Sequence, residues 1–146
     1  MRQRLLVVGT ILLAAACNSS TAPGLVVTLT GPSTVQGFDT TIGGAAAYGC
    51  HYLLTATAGA GGSHEYATWQ GGHYSYVRQD GDTLSGQYQG ASGLFGGQEV
   101  LAAGASASAM QENVWTLPFQ FSEVLYYSRA TGANHADSAM FSYSCQ

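Results

Sequence analysis

Few side chains in this sequence could carry out catalysis, and their spacing matches no catalytic motif. The 146 residues contain eight carboxylates, four histidines and three cysteines, but no lysine. Without lysine, mechanisms that use a Schiff base, a Ser–Lys pair or a phosphate-binding lysine are excluded. The spacings G-x-S-x-G, H-E-x-x-H and paired C-x-x-C are also absent. We therefore expect neither enzymatic activity nor a bound cofactor.

Two of the histidines could approach each other closely enough to bind a metal. Gly71 and Gly72 predict a two-residue hairpin turn, and such a turn would place His64 and His73 on facing strands. Neutral imidazoles are common ligands of zinc and copper. No zinc motif accompanies them, and surface histidines are ordinary on β loops, so we predict no metal site. His64 and His73 are the residues at which that prediction is best tested.

One carboxylate falls among apolar residues. Glu123 is in phase with the apolar positions of a predicted strand. A buried carboxylate is costly unless it is paired, and burial raises its pKa. We therefore expect a bulge or an edge position to turn Glu123 outward. If it is buried instead, Arg78 or Arg129 is the available partner.

A pair of tyrosines is the surface feature that most suggests binding. Tyr74 and Tyr76 share one face of a predicted edge hairpin. An exposed tyrosine pair offers contact area and hydroxyl groups at low entropic cost, so it suits an envelope glycan or another envelope protein. The alternative is that both rings fill a small core.

The elements that would position these residues are strands. Twenty glycines punctuate the chain, and apolar residues alternate with polar ones between them. The predicted strands cover residues 25–30, 48–58, 66–70, 73–79, 83–88, 119–129 and 139–145. Asp80-Gly81 predicts a second hairpin turn, so the middle three runs are expected to form a meander. Residues 90–109 are rich in glycine and alanine and give no clear assignment.

Two cysteines lie on the apolar faces of strands near opposite ends of the domain. Cys50 and Cys145 both alternate with polar neighbours. Two cysteines that point into one core can meet across it, and two is the number that one disulfide needs. We predict a Cys50–Cys145 disulfide, with two buried thiols as the alternative.

The cysteines, Trp69 and the Tyr143-x-Cys145 motif resemble an immunoglobulin-like β-sandwich. The resemblance implies two antiparallel sheets, with a core tryptophan on the disulfide that joins them. Cys145 is the penultimate residue, whereas the family places a further strand after its second cysteine. The alternative is a meander β-barrel, because the hairpin run YSYVRQDGDTLSGQY resembles calycin-type lipoproteins, which hold small apolar ligands.

The N-terminus has the form of a secretory signal. Arg2 and Arg4 precede an uncharged, mostly apolar run, and three alanines lead into Cys17. The pattern resembles the lipobox of bacterial lipoproteins, which implies that residues 1–16 are removed and that Cys17 carries lipid. The alternatives are an ordinary secretory signal and an uncleaved membrane helix, although the apolar run is shorter than a bilayer span. In that family an Asp directly after the cysteine favours retention in the inner membrane. This chain has Asn18 at that position, which favours the outer membrane.

The length and charge of the remaining residues limit the functions that the chain could have. Residues 17–24 are small and polar, which is typical of a flexible tether, and residues 25–146 have the length of one domain. After removal of the signal, two arginines against eight carboxylates give a formal charge of −6. That balance excludes nucleic-acid binding through clustered cations. We predict a lipid-anchored envelope protein with a structural or binding role; the alternative is a small-ligand carrier with an internal barrel cavity.

Overall fold

The computed structural model describes residues 24–62, 64–130 and 136–146. These residues form an all-β structure with one single-turn 3-10 helix, Ser92–Phe95. The strands are β1 (Val27–Thr30), β2 (Thr34–Val35), β3 (Phe38–Ile42), β4 (Ala45–Ala58), β5 (Tyr66–Arg78), β6 (Thr83–Tyr88), β7 (Val100–Ala102), β8 (Ser106–Trp115), β9 (Phe119–Arg129) and β10 (Ala136–Cys145). The predicted signal of residues 1–16, Cys17 and His135 lie outside the described residues.

The strands form two sheets. In the first, β4 is central: β1 and β3 pair with its two ends on one side, and β8 pairs along the other side. The second has the order β2-β10-β9-β5-β6, with β7 pairing with the start of β5. All pairings are antiparallel except that of β2 with β10. Both sheets are open within the described residues, so the expectation of a closed calycin-like barrel is wrong.

The N-terminal segment contacts both sheets. β1 pairs with β4 in the first sheet, and after Gly31 and Pro32 the chain crosses so that β2 pairs with β10 in the second. Proline fixes its own backbone and cannot extend a sheet ladder, so the first strand ends there. The Val27 amide also donates a 3.0 Å hydrogen bond to the Tyr127 hydroxyl of β9. This segment therefore ties the two sheets together along one edge.

The core lies between the sheets because each long strand alternates. In β9 the odd-numbered positions from Phe119 to Tyr127 are buried and the even-numbered ones face outward, which is the period of a strand with one face on a core. β4 presents Cys50 and Leu54 to the same interior. Cys50 is disulfide-bonded to Cys145 of β10, so the bond joins the two sheets as predicted.

The predicted hairpin at Gly71 and Gly72 is wrong, because residues 66–78 form the single strand β5. A bulge between Trp69 and Gly71 shifts its register against β9. A Cβ atom at Gly72 would collide with the Val124 carbonyl oxygen of β9, so glycine here allows two backbones to approach closely. The second predicted turn is confirmed: β5 and β6 are joined around Gly81, whose φ is 87°.

The stretch 90–109, which the sequence pattern left unassigned, carries the 3-10 helix, β7 and the start of β8. Phe95 of the helix is buried and stacks on Trp69, with the ring centroids 5.0 Å apart. Gln111 of β8 donates a hydrogen bond of 2.6 Å to the Leu94 carbonyl. The loop after β6 thereby packs on both sheets. None of the described residues forms a helix long and apolar enough to cross a membrane.

Candidate functional site

Six strands contribute hydrogen-bonding side chains to the space between the sheets. We call this set the inter-sheet polar cluster. Its members are Tyr52 of β4, Tyr76 of β5, Tyr88 of β6, Asn113 of β8, Glu123 of β9 and Tyr143 of β10. Each sits on the inward phase of its strand, where alternation would otherwise place an apolar residue.

Asn113 is the hydrogen-bonding centre of one half of the cluster. Its Oδ1 accepts from the Tyr76 hydroxyl at 2.9 Å. Its Nδ2 donates to the hydroxyls of Tyr52 and Tyr143 at 3.1 and 3.0 Å. The amide thus binds one hydroxyl from its own sheet and two from the other. Because buried polar groups are costly when unpaired, this arrangement fixes how the sheets sit on each other.

Glu123 forms the other half of the cluster. It is 1% exposed, so the expectation that it turns outward is wrong. Its Oε2 accepts a 3.1 Å hydrogen bond from the Tyr88 hydroxyl, while its Oε1 is buried without a hydrogen-bond partner among the described residues. Neither arginine considered from the sequence pairs with it: Arg78 binds Asp80 and Asp82, and Arg129 binds Asp137.

Burial governs the ionisation of this cluster. Removal from water raises the pKa of Glu123 to about 7, and the hydrogen bond from Tyr88 opposes that rise without cancelling it. Burial also raises the pKa of Tyr52 and of Tyr88, and the nearby charge of Glu123 adds to both shifts. Both phenols therefore remain protonated at neutral pH, while the carboxyl group of Glu123 titrates there.

Tyr74 and Tyr76 do not form an outward-facing pair, so that expectation is wrong. β5 is an interior strand of the second sheet, with β9 on one side and β6 on the other, and both rings lie on its inner face. The Tyr76 ring packs against Phe121 at 4.9 Å, and the Tyr74 ring contacts Tyr88 at 5.1 Å. Both rings are half-buried against the core.

The Tyr76→Phe substitution is expected to lower the free energy of unfolding by about 1–2 kcal/mol, because it leaves Asn113 Oδ1 without its donor. Chemical denaturation of both proteins measures the difference. The matched control is Tyr126→Phe, which removes a hydroxyl bonded to His73 on the outer face. Equal losses for the two variants would contradict a structural role of the buried network.

The structure separates the two histidines considered as metal ligands. His64 is exposed in the loop before β5, whereas His73 lies on the outer face of that continuous strand, with Nδ1 3.1 Å from the Tyr126 hydroxyl. Without the hairpin they do not face each other. His51 forms an ion pair of 3.1 Å with Glu112. Among the described residues no group of three His, Cys, Asp or Glu side chains could hold a metal ion.

The outer face of the second sheet carries a groove lined by both polar and apolar residues. It has a volume of about 290 Å³ and is lined in part by Gln120, Ser122, Ser142 and Ser144, with Val77 beside them. Register explains the row of hydroxyls, since Ser75, Ser122 and Ser142 are direct cross-strand neighbours on β5, β9 and β10. The groove residues named here are uncharged.

No protein-family profile matches this sequence, and no curated protein matches it. Among solved structures, the chain is similar to the putative ApaA protein from Bordetella pertussis, with 16% identity and a TM-score of 0.55 over 83% of this chain and 93% of that one. It is also similar to a structural genomics target, SoR45, with 12% identity and a TM-score of 0.54 over 84% and 83% of the two chains. The likeness extends to the fold alone.

Sequence reasoning missed most of the inter-sheet polar cluster. Asn113 lies on the same strand phase as Ala107 and Trp115, so its inward position could have been found once β8 was recognised. Tyr52 and Tyr143 lie two residues from Cys50 and Cys145 and so share their predicted inward phase, but the hydrogen-bond partner of both hydroxyls, Asn113, lies far away in the chain. Glu123 and Tyr76 were singled out from the sequence, but both were expected to face outward. Tyr88, the partner of Glu123, lies 35 positions away in the chain.

Proposed function

We propose that this chain is a lipid-anchored protein of a bacterial cell envelope, on the periplasmic or surface face of the outer membrane, with a non-catalytic structural or binding role. The observation that carries the proposal is the disulfide between Cys50 and Cys145. Disulfides persist in oxidising compartments outside the cytoplasm. Such a compartment agrees with a lipobox-type signal that ends at Cys17, and residues 17–24 would then link the lipid to the domain.

The Cys17→Ser variant is expected to lose membrane association, because acylation requires the thiol of that residue. Membrane fractions from cells that express the two proteins are compared by immunoblotting, and intact mass reports acyl chains on Cys17. Cys50→Ser/Cys145→Ser serves as the control, since it removes two other thiols and should remain in the membrane fraction. Unchanged partitioning of Cys17→Ser would reject the anchor.

We also propose that the fold is a divergent immunoglobulin-like sandwich. The orders β1-β4-β8 and β10-β9-β5-β6 correspond to the A-B-E and G-F-C-C′ orders of that family. Two features differ: the disulfide joins the B-like and G-like strands, and Trp69 stacks on Phe95 at 5.0 Å. An experimental structure with another strand order would exclude this assignment.

The partner that we propose besides the membrane is a neutral envelope glycan, in the groove on the outer face of the second sheet. Hydroxyl and amide side chains suit an uncharged sugar, and the groove residues Gln120 and Ser122 provide them. The purified domain is expected to sediment with insoluble peptidoglycan by binding its uncharged sugar strands rather than its acidic peptides. Ser122→Glu/Ser142→Glu should reduce the bound fraction severalfold, whereas Ser108→Glu on the first sheet should not. A bound fraction that requires the envelope proteins would instead identify a protein partner.

A further inference from the structure

The strand β6 ends the second sheet and has a free backbone edge. Within the described residues it pairs with β5 alone, and it makes no backbone hydrogen bond to another segment. The Arg78 amide donates to the Asp82 carbonyl at 2.9 Å, and antiparallel residues alternate between pairs that exchange backbone hydrogen bonds and pairs that do not. The amides and carbonyls of Thr83, Ser85 and Gln87 therefore point away from β5, toward the free edge.

This edge lacks the features that keep edge strands apart. Residues 83–88 include no charged residue and no proline, whereas natural edges are usually protected by charge, proline or a bulge. Four of the six residues are exposed, among them Leu84, a large apolar side chain that is 49% exposed. The β8 edge of the first sheet differs, because the 3-10 helix lies against β8 and its Leu94 carbonyl accepts from Gln111. The β6 edge is the one that suits an added strand.

The backbone of β6 is complementary to itself about Ser85. When two copies pair antiparallel with Ser85 opposite Ser85, Thr83 of each copy lies opposite Gln87 of the other. These three pairs would exchange about six backbone hydrogen bonds, two for each pair. The Thr83 amide, which donates to Asp82 Oδ1 at 3.0 Å, would exchange that bond for one to the second copy. Every outward amide and carbonyl of the strand then has a partner.

The side chains match on the inner face of the joined strands. Leu84 would lie opposite Gly86 of the second copy. A Cβ atom at Gly86 would collide with the Tyr74 ring, so this ring covers the glycine and offers an apolar surface to Leu84. The two copies of Asp82 would lie at opposite ends of the ladder, about 20 Å apart along the strand. Like charges therefore do not meet.

The side chains also match on the outer face. Ser85 is the direct cross-strand neighbour of Ser75, so it extends the row of hydroxyls that continues through Ser122 and Ser142. Pairing about Ser85 would join the rows of two copies into one, with hydroxyls spaced about 4.8 Å from strand to strand. Opposed hydroxyl side chains stabilise neighbouring strands.

We propose that two copies of this chain associate through β6, antiparallel about Ser85, so that their second sheets form one continuous sheet. So short a ladder buries less surface than a permanent dimer, and we expect weak, reversible association. The grooves of both copies would lie on the same face of the joined sheet. The dimer goes beyond the proposed envelope function and requires neither the anchor nor a glycan.

Cysteine cross-linking tests the register, in the full chain with Cys17→Ser so that no other free thiol is present. Opposed residues of a hydrogen-bonded pair have Cα atoms about 5.5 Å apart, which a disulfide can span. Mild oxidation of Ser85→Cys is expected to give a linked dimer. Thr83→Cys alone should not, because its two copies lie about 14 Å apart, but Thr83→Cys mixed with Gln87→Cys should. Ser108→Cys, exposed on the first sheet, is the control.

Sedimentation velocity of the same chain without added cysteines measures the association itself. Ser85→Pro removes an amide that points to the free edge, so it leaves the hydrogen bonds to β5 in place and blocks the new ladder. We expect it to weaken dimerisation at least about tenfold, as for the loss of one or two hydrogen bonds. Ser85→Ala keeps the amide and should associate nearly as the wild type does.

Three outcomes would overturn the dimer: a monomer at all concentrations up to about 1 mM; cross-linking of Thr83→Cys or Ser108→Cys as fast as that of Ser85→Cys; or undiminished association of Ser85→Pro. Circular dichroism shows whether Ser85→Pro is folded, and if it is not, the cross-linking pattern decides. Linkage of Ser85→Cys in cells to a different protein instead of a second copy would also overturn it. Loss of membrane anchoring or of peptidoglycan sedimentation leaves these results unaffected.

Discussion

The Cys50→Ala/Cys145→Ala variant is expected to lose about 4–5 kcal/mol of unfolding free energy. The disulfide spans 95 positions of sequence and joins β4 of the first sheet to β10 of the second. In the chain-entropy account, a cross-link over a loop of that length restricts the unfolded chain by an amount of this size. Small domains are stable by only about 5–15 kcal/mol, so the variant is expected to be marginally folded.

Urea denaturation of the oxidised wild type and the double variant measures this loss. The double substitution avoids an unpaired thiol in the core, which a single substitution would leave. Wild-type protein unfolded in the presence of a reductant provides a second comparison with no change of sequence. A loss below about 1 kcal/mol would show that the linked loop is already restricted in the unfolded state.

The Glu123→Gln substitution is expected to stabilise the protein by about 3 kcal/mol above neutral pH. Burial raises the pKa of Glu123 from 4.5 to about 7, so the folded state holds the proton more tightly than the unfolded chain. A tenfold difference in proton affinity corresponds to about 1.4 kcal/mol. The contribution of this group is therefore fully present below about pH 4.5 and is lost as the pH rises through about 7.

Unfolding free energies of wild type and variant measured from pH 4 to 8 test this expectation. The difference between the two proteins should grow across that window, because glutamine does not ionise. Glu99→Gln is the control, since it removes an exposed carboxylate and corrects for the general effect of net charge. A difference that stays constant with pH would mean that Glu123 is not buried in solution.

Local patterns predicted the elements whose determinants are local. The alternation of β9 gave the bounds Phe119–Arg129, and Asp80-Gly81 specified its turn through backbone chemistry. The disulfide was predictable because strand phase alone placed Cys50 and Cys145 on inward faces. In each case the strand phase or turn chemistry is set by the few residues on either side of each position.

The features that were missed depend on contacts between distant segments. A Gly-Gly pair is typical of a turn, but Gly72 lies within β5. Its lack of a side chain lets the Val124 backbone of β9, 52 positions later in the chain, pack close to it. Glutamate is usually a surface residue, but Glu123 is buried, and the Tyr88 hydroxyl of β6 donates a hydrogen bond to it. Tyr76 was assigned to an exposed pair because the identity of β5 as an interior strand follows only from the order of the whole sheet.

The crossing of the N-terminal segment, together with the disulfide, determines how the domain would carry a mechanical load. A force that pulls residues 24 and 146 apart acts along the backbone from residue 24 to Cys50. It then crosses the disulfide to Cys145, which is the neighbour of residue 146. Only the stretch up to Cys50 can be drawn out, a length of about 90 Å at full extension. All six members of the inter-sheet polar cluster lie between the two cysteines in the chain, so the cluster is outside the path of the force.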